Sequence, residues 1–189
     1  MPLADSLRAH SPADPREARD KERILDFIER HPEPFDRRIR EGHLTGSAFV
    51  VSSAGDRVLL LRHKKLGRWL QPGGHADPGE RSGDAVALRE AIEETGILGL
   101  TPYPGAPRPL DVDVHEIPAR GDEPAHLHLD LRYLFVAPEG AMLRRAAEES
   151  DELRWFAWHE LGALDLDPGV VRALAKARRI MGAATPPAP

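Results

Sequence analysis

Glu90, Glu93 and Glu94 stand at positions i, i+3 and i+4 of a segment, Asp84 to Gly96, whose pattern is helical. On a helical wheel they share an arc of about 100°. Ala85, Leu88 and Ile92 gather on roughly the opposite side and are expected to face the core. This placement works against a bare helix. Like charges at i, i+4 cost about 0.2–0.5 kcal/mol per pair. Glu93 and Glu94 also fall in the last turn, where the helix dipole disfavours anions by about 0.3–1 kcal/mol each. Three carboxylates on one face suit a hard divalent cation such as Mg2+ or Mn2+. The plain alternative is a solvated acidic face, since Glu is a good helix former.

The loop before the helix shifts the balance toward a cation. Gln71-Pro72-Gly73-Gly74-His75-Ala76-Asp77-Pro78-Gly79-Glu80 carries two adjacent glycines, then Asp-Pro-Gly, then Glu. Glycines let backbone approach a ligand closely and leave carbonyls free to coordinate. A tight loop feeding an acidic helix is a cradle for metal and phosphate together.

Gly74 through Ile97 resembles the Nudix box, G-x5-E-x7-R-E-u-x-E-E-x-G-u, where u is aliphatic. Gly74 to Glu80 matches the first half, and Arg89-Glu90-Ala91-Ile92-Glu93-Glu94-Thr95-Gly96-Ile97 matches the second. One extra residue separates Glu80 from Arg89, most easily placed in the loop at Pro78–Gly83. Weaker likenesses lie in the run Arg68 to His75 and in Glu152 to Phe156. The resemblance implies an α/β (α+β) fold, an α/β/α sandwich on a mixed β-sheet, here with an extra N-terminal helix. It implies a pyrophosphohydrolase that cleaves the diphosphate linkage of a nucleoside diphosphate joined to another moiety. Water attacks phosphorus, with Mg2+ or Mn2+ as cofactor. By position, Glu93 and Glu94 are the principal metal ligands, and Glu90 is a further ligand or the general base. The Gly73 carbonyl is an additional metal contact, and Arg89 with Glu80 forms the ion pair that fixes loop to helix. The implied partner is a small nucleotide-type substrate. The competing class is a Nudix-like sensor that binds a nucleotide without cleaving it. The extra residue favours the sensor, and the complete set of Glu90, Glu93 and Glu94 favours the enzyme.

A second polar set lies downstream. His126, His128, Asp130 and Arg132 alternate with leucines, so on a strand they share one face. Asp111, Asp113 and His115 do the same on the preceding run. One reading is a substrate or second-metal face, with His128 and Asp130 in contact with substrate and Arg132 binding phosphate. The other is a half-exposed antiparallel sheet. No helical His-Glu-x-x-His motif accompanies these histidines, which speaks against zinc. Arg62, His63, Lys64, Lys65 and Arg68 form a basic cluster, either a solvated hairpin end or a clamp for phosphates through Arg62. Trp69 stacks on a base or caps a core. Trp155 and Trp158 are expected in the core. Glu148, Glu149, Asp151 and Glu152 read as an exposed acidic turn, from which one residue could reach the metal.

These groups need elements to hold them. A helix is expected from Pro15 to Arg30, capped by Asp14. A hairpin follows, Leu44–Ser53 with Arg57–His63. The acidic helix runs from about Ser82 to Thr95 and ends at Gly96. Asp111–Ile117 and His126–Phe135 form a second antiparallel pair, Glu152–Trp158 a short strand and Pro168–Met181 a last helix. Residues 1–14 read as loose. The organisation expected is a helical extension at 1–43, a Nudix domain at 44–181 and a disordered Pro-rich tail at 182–189.

Composition sets limits. The chain has 189 residues, 41% hydrophobic and 30% charged, with net charge −5 and no cysteine. Disulfides, thiolate metal sites and a cysteine nucleophile are excluded. The acidic balance gives no footprint for a stable nucleic-acid complex. No run approaches the ~18 apolar residues of a membrane span, and no signal-peptide pattern opens the chain. The expectation is a cytoplasmic protein with no membrane partner, in which a homodimer is allowed. Of the 18 prolines and 16 glycines, much of the proline lies in the two tails, the exit of the first helix and the connector at 102–109, and Gly73, Gly74, Gly79 and Gly96 belong to the box.

Overall fold

The computed structural model describes residues 3–121 and 124–184. Strand β1 (Gly42–Val51) is its axis and is buried along its whole length. It pairs in parallel with β7 (His126–Val136), in register from Gly42↔Leu127 to Val51↔Val136. On the far side of β7 runs antiparallel β6 (Asp111–Ile117), in register from Asp111↔Arg132 to Ile117↔His126. The first half of β1 pairs with β4 (Gly73–His75) and its last residues with β2 (Arg57–His63). Strands β3 (Trp69–Leu70) and β8 (Ser150–Ala157) extend the sheet from β2, and β5 (Thr101–Pro102) joins the end of β7. The result is a mixed eight-stranded sheet with helices on both faces.

Alternation divides the sheet into two surfaces. Leu44, Ala48 and Val50 of β1 join Leu129, Leu131, Tyr133 and Phe135 of β7 in one core. Helices α2 (Pro15–Arg30) and α3 (Gly83–Thr95) cover it with Ile24, Phe27, Val86, Ala87 and Ala91. On the opposite surface Phe49, Val51, Leu134 and Phe156 pack under Val170, Ala173, Leu174 and Ala177 of α4 (Pro168–Ala184). That surface changes character halfway along the strands. Residues 43, 45 and 47 of β1, and 126, 128, 130 and 132 of β7, continue it as a polar floor.

Local signals explain the helix ends. The Asp14 side chain accepts a hydrogen bond from the Glu17 backbone N–H, and Pro15 opens α2. Gly96 closes α3 in the left-handed conformation, φ 70°, with its N–H on the Ile92 carbonyl.

Two expectations need correction. Residues 3–9 are not loose but form α1 (Leu3–Ala9). A helix this short is not stable alone. It persists because Leu7 is fully buried in the core of Ile24 and Phe27. Lys21 Nζ also donates to the carbonyls of Arg8 and His10 near its end. The inward face of α3 is broader than Ala85, Leu88 and Ile92, of which Leu88 and Ile92 pack half-buried against the core. Val86, Ala87 and Ala91 are buried, and so are Glu94 and Thr95, while Ala85 is exposed. Close approach, not side-chain size, chose the face: α3 lies on β1 at Gly46. A Cβ there would stand 2.5 Å from the Gly83 carbonyl oxygen and 2.8 Å from the Ala87 nitrogen. Of the tail at 182–189, expected to be disordered, residues 182–184 belong to α4, and 185–189 lie outside the described residues, as do Asp122 and Glu123. No described helix is long and apolar enough to cross a membrane.

Candidate active site

The loop and helix of the box are bound by one guanidinium. Arg89 Nη2 donates to Glu80 Oε2 at 3.0 Å and to the His75 carbonyl at 2.6 Å. Its Nη1 reaches Glu90 Oε1 at 3.1 Å and Glu93 Oε2 at 3.0 Å. The extra residue does not separate Glu80 from Arg89. The loop before it is tied to itself: the Glu80 N–H bonds the Asp77 carbonyl, and the Asp77 N–H returns to Glu80 Oε2 at 2.8 Å. This network holds the Glu80 carboxyl below its ordinary pKa, with the Arg89 hydrogen bond the largest cause.

The three helix carboxylates have graded burial. Glu93 is about half exposed, Glu90 is mostly covered and Glu94 is 5% exposed. Burial pushes the Glu94 pKa up to about 8. The Gly73 N–H, at 2.8 Å from Glu94 Oε2, opposes that rise, and the charges of Glu149, Glu90 and Glu93 add to it. Glu90 is also raised, by burial first, against the pull of Arg89. Both glycines of the loop are needed for fit. A Cβ on Gly74 would lie 2.6 Å from the Glu90 carboxyl, and one on Gly73 would lie 2.4 Å from Ser47 Oγ.

The carboxylates open into a cavity of about 720 Å³ that the polar floor of the sheet also lines. His63, Lys65 and Arg68 border it, as does Glu149. Glu149, read from sequence within an acidic turn, is therefore the member of that turn that meets the site.

The floor is cross-braced. Asp130 accepts hydrogen bonds from Thr45 Oγ1 at 3.0 Å, Ser47 Oγ at 2.8 Å and Arg132 Nε at 2.9 Å. Arg132 is 3% exposed and also pairs with Asp111 and Asp113, each at 3.3 Å. Arg172 of α4 grips Asp111 from behind at 2.8 and 2.9 Å. Arg132 is the residue expected to bind phosphate. It borders the cavity, but its guanidinium is committed to three carboxylates of its own sheet. Asp130, expected to contact substrate, is likewise held by internal donors. His128 borders the cavity and meets His75, with 3.1 Å between their Nε2 atoms.

Arg62 and Trp69 lie outside the cavity. Arg62 is exposed on β2, in register with Trp69 and Glu152. The Trp69 ring meets Phe156 edge-on at 4.7 Å, on the α4 side of the sheet. Successive strand residues point to opposite faces, so Arg62 turns away where its neighbour His63 turns in. Trp155 and Trp158 are partly buried at the core margins. Sequence reasoning passed over His43, Thr45 and Ser47. They act through the parallel pairing of β1 with β7, which no local pattern announces.

A model of the NUDIX domain matches residues 43–177. A Bacillus subtilis protein described as an uncharacterized Nudix hydrolase, YvcI, is 31% identical over 120 residues, 63% of this chain and 70% of that one. Another Bacillus subtilis protein, described as an 8-oxo-dGTP diphosphatase, is 41% identical over 51 residues. That match covers 27% of this chain and about a third, 34%, of that relative. Among solved structures, a NUDIX-family hydrolase of Clostridium perfringens superposes with a TM-score of 0.58 at 23% identity, covering 73% of this chain and 97% of that one. The C. elegans Ap4A hydrolase complex does so with 0.59 at 19% identity, covering 74% and 98%. These two show likeness of fold. With the family model spanning most of the chain, the chain belongs to the Nudix hydrolase family, whose chemistry is hydrolysis of a pyrophosphate bond.

Proposed function

We propose that this chain is a Mg2+- or Mn2+-dependent hydrolase acting on the diphosphate linkage of a nucleoside diphosphate joined to another moiety. The observation that carries this reading is the convergence of Glu90, Glu93 and Glu94 on one cavity. On the same reading the catalytic unit runs from about 44 to 181 and residues 1–43 are a helical extension.

The residues present fit such a cation. Its donors would be carboxylate oxygens, the hard ligands that Mg2+ and Mn2+ take. Glu94 is buried beside two further carboxylates and is pushed up to about pH 8 by that burial. A divalent charge relieves such crowding. Glu93 and Glu94 would hold the ion, with Glu90 and the Gly73 backbone beside them. When bound, the ion neutralises the diphosphate and acidifies the attacking water.

The chain's own groups do the rest. Glu90 accepts the proton of the attacking water at its carboxylate. Its raised pKa brings it nearer to working pH, as general-base catalysis favours. Arg89 fixes Glu90 Oε1 and the loop carbonyl of His75, so the carboxylate and the Gly73–Gly74 backbone keep one geometry. Lys65 and Arg68 border the cavity and would meet the substrate's phosphates.

The test is a product-release screen with Mg2+ or Mn2+. Its panel contains nucleoside triphosphates, oxidised nucleotides, nucleotide sugars, ADP-ribose and dinucleoside polyphosphates. Turnover of at least one member supports the reading. Tight binding of one member with turnover of none replaces the hydrolase by a sensor.

A further inference from the structure

The polar floor carries more imidazole than the carboxylate site uses. His43, His75 and His128 stand with ring centroids 4.8–5.0 Å apart. His126 lies 5.1 Å from His43 and 5.3 Å from His128, and His115 lies 5.5 Å from His128. Sheet register makes this cluster. His43 of β1 is the direct partner of His128 of β7. His115 of β6 is opposite the same residue. His75 of β4 is opposite Thr45, two residues along β1 from His43.

The geometry of three of them suits a metal. One ring nitrogen each from His43, His75 and His128 can be chosen so that all lie within 4.8 Å of one another. His75 Nε2 and His128 Nε2 are 3.1 Å apart. That is close to the ~3.4 Å edge of a tetrahedron with metal–nitrogen bonds of about 2.0–2.1 Å. Imidazole nitrogens select Zn2+, Cu2+ and Ni2+ over Mg2+ and Mn2+, which prefer the oxygens of α3. We propose that His43, His75 and His128 form a second metal site, for a transition-metal ion of the Zn2+ class, separate from the carboxylate site.

Other features support it. His115 Nδ1 meets Asp113 Oδ2 at 3.1 Å, behind the cluster. His75 and His128 border the cavity while His43 lies beneath, buried to 2% exposure. Three protein ligands with a face toward the cavity leave the fourth position accessible, as in open zinc sites. The absence of a His-Glu-x-x-His helix does not count against zinc here, because strand pairing rather than helix spacing assembles the donors.

The test reads metal content, so it stands or falls apart from the hydrolase reading. The purified full chain is dialysed against Zn2+, and separately Co2+, in excess Mg2+, and bound metal is measured with the visible spectrum of Co2+. One tightly held equivalent is expected, with the intense absorption of four-coordinate Co2+. His75→Ala and His128→Ala should each weaken it at least about tenfold, the scale at which even supporting groups act. Circular dichroism checks that both variants fold, and partly exposed His75 is the safer change. Glu93→Gln should leave Zn2+ binding intact. Wild-type protein that retains no Zn2+, binding that survives both histidine changes, or binding lost in Glu93→Gln would each overturn the proposal.

Discussion

Glu94 shows how one residue carries two opposed demands. It is buried on the helix face that packs the sheet, yet it must present an oxygen to the cavity. Among the described residues, the Gly73 N–H bonds its carboxylate within the site. Glu94→Gln keeps that hydrogen bond and the shape while removing the charge. It is expected to lower turnover about a hundredfold or more with little loss of melting temperature. Steady-state kinetics beside thermal melting checks this, and equal loss of both would make Glu94 a structural group. Gly74→Ala should harm activity differently. Its Cβ would strike the Glu90 carboxyl at 2.6 Å, so the expected loss is in kcat, with KM much less affected. The three carboxylates were legible in sequence because helix spacing is local and repeats every turn. Their burial was not. The wheel sorts residues by hydrophobicity, whereas contact with Gly46 put the small Ala87 and Ala91 inside and took Glu94 and Thr95 with them.

At the scale of elements, the sheet and its helices are joined by polar as well as apolar contacts. Glu17 of α2 is fully buried and bonds His10, while Lys176 of α4 reaches the same carboxylate. Burial alone would raise the Glu17 pKa. Hydrogen bonds from His10, the Ala13 N–H and Lys176 outweigh it, so the carboxyl titrates well below its usual range. A depressed carboxylate gives stability that is present above the unfolded pKa, about 4.3, and lost as pH falls through the folded value. Glu17→Gln is therefore expected to cost about 1–3 kcal/mol near pH 7, because it takes the nearest carboxylate from Lys176, which keeps Asp111 at 3.6 Å. Its deficit should shrink as pH drops below about 4. Denaturant melts at several pH values test this, and a pH-independent deficit would contradict it. Gly46→Ala probes the contact of α3 with β1. A Cβ there meets backbone at 2.5 and 2.8 Å, so a loss of about 1–3 kcal/mol or more is expected from overpacking. Short α1 was illegible because one buried leucine and two carbonyl contacts hold it, and none of these leaves a period in the sequence.

For the whole molecule, the polar half of one sheet surface and the carboxylates of the acidic helix line one cavity, and the apolar half of that surface anchors α4. The box was readable because its members lie close in sequence. The histidine floor was half readable: alternation put His126 and His128 on one face, but His43 and His75 joined them only through non-local strand pairing. The same alternation could not say that Arg132 would be neutralised by Asp111, Asp113 and Asp130. The central claim is that Glu90, Glu93 and Glu94 form a cation-dependent hydrolytic site. Product formation over the nucleotide panel, with Mg2+ or Mn2+ and after chelation, tests it most directly when wild type is compared with Glu93→Gln and Glu94→Gln. The account predicts turnover of at least one diphosphate compound, lost on chelation and reduced about a hundredfold or more in each variant. Near-normal turnover in both variants, or turnover indifferent to chelation, would contradict it.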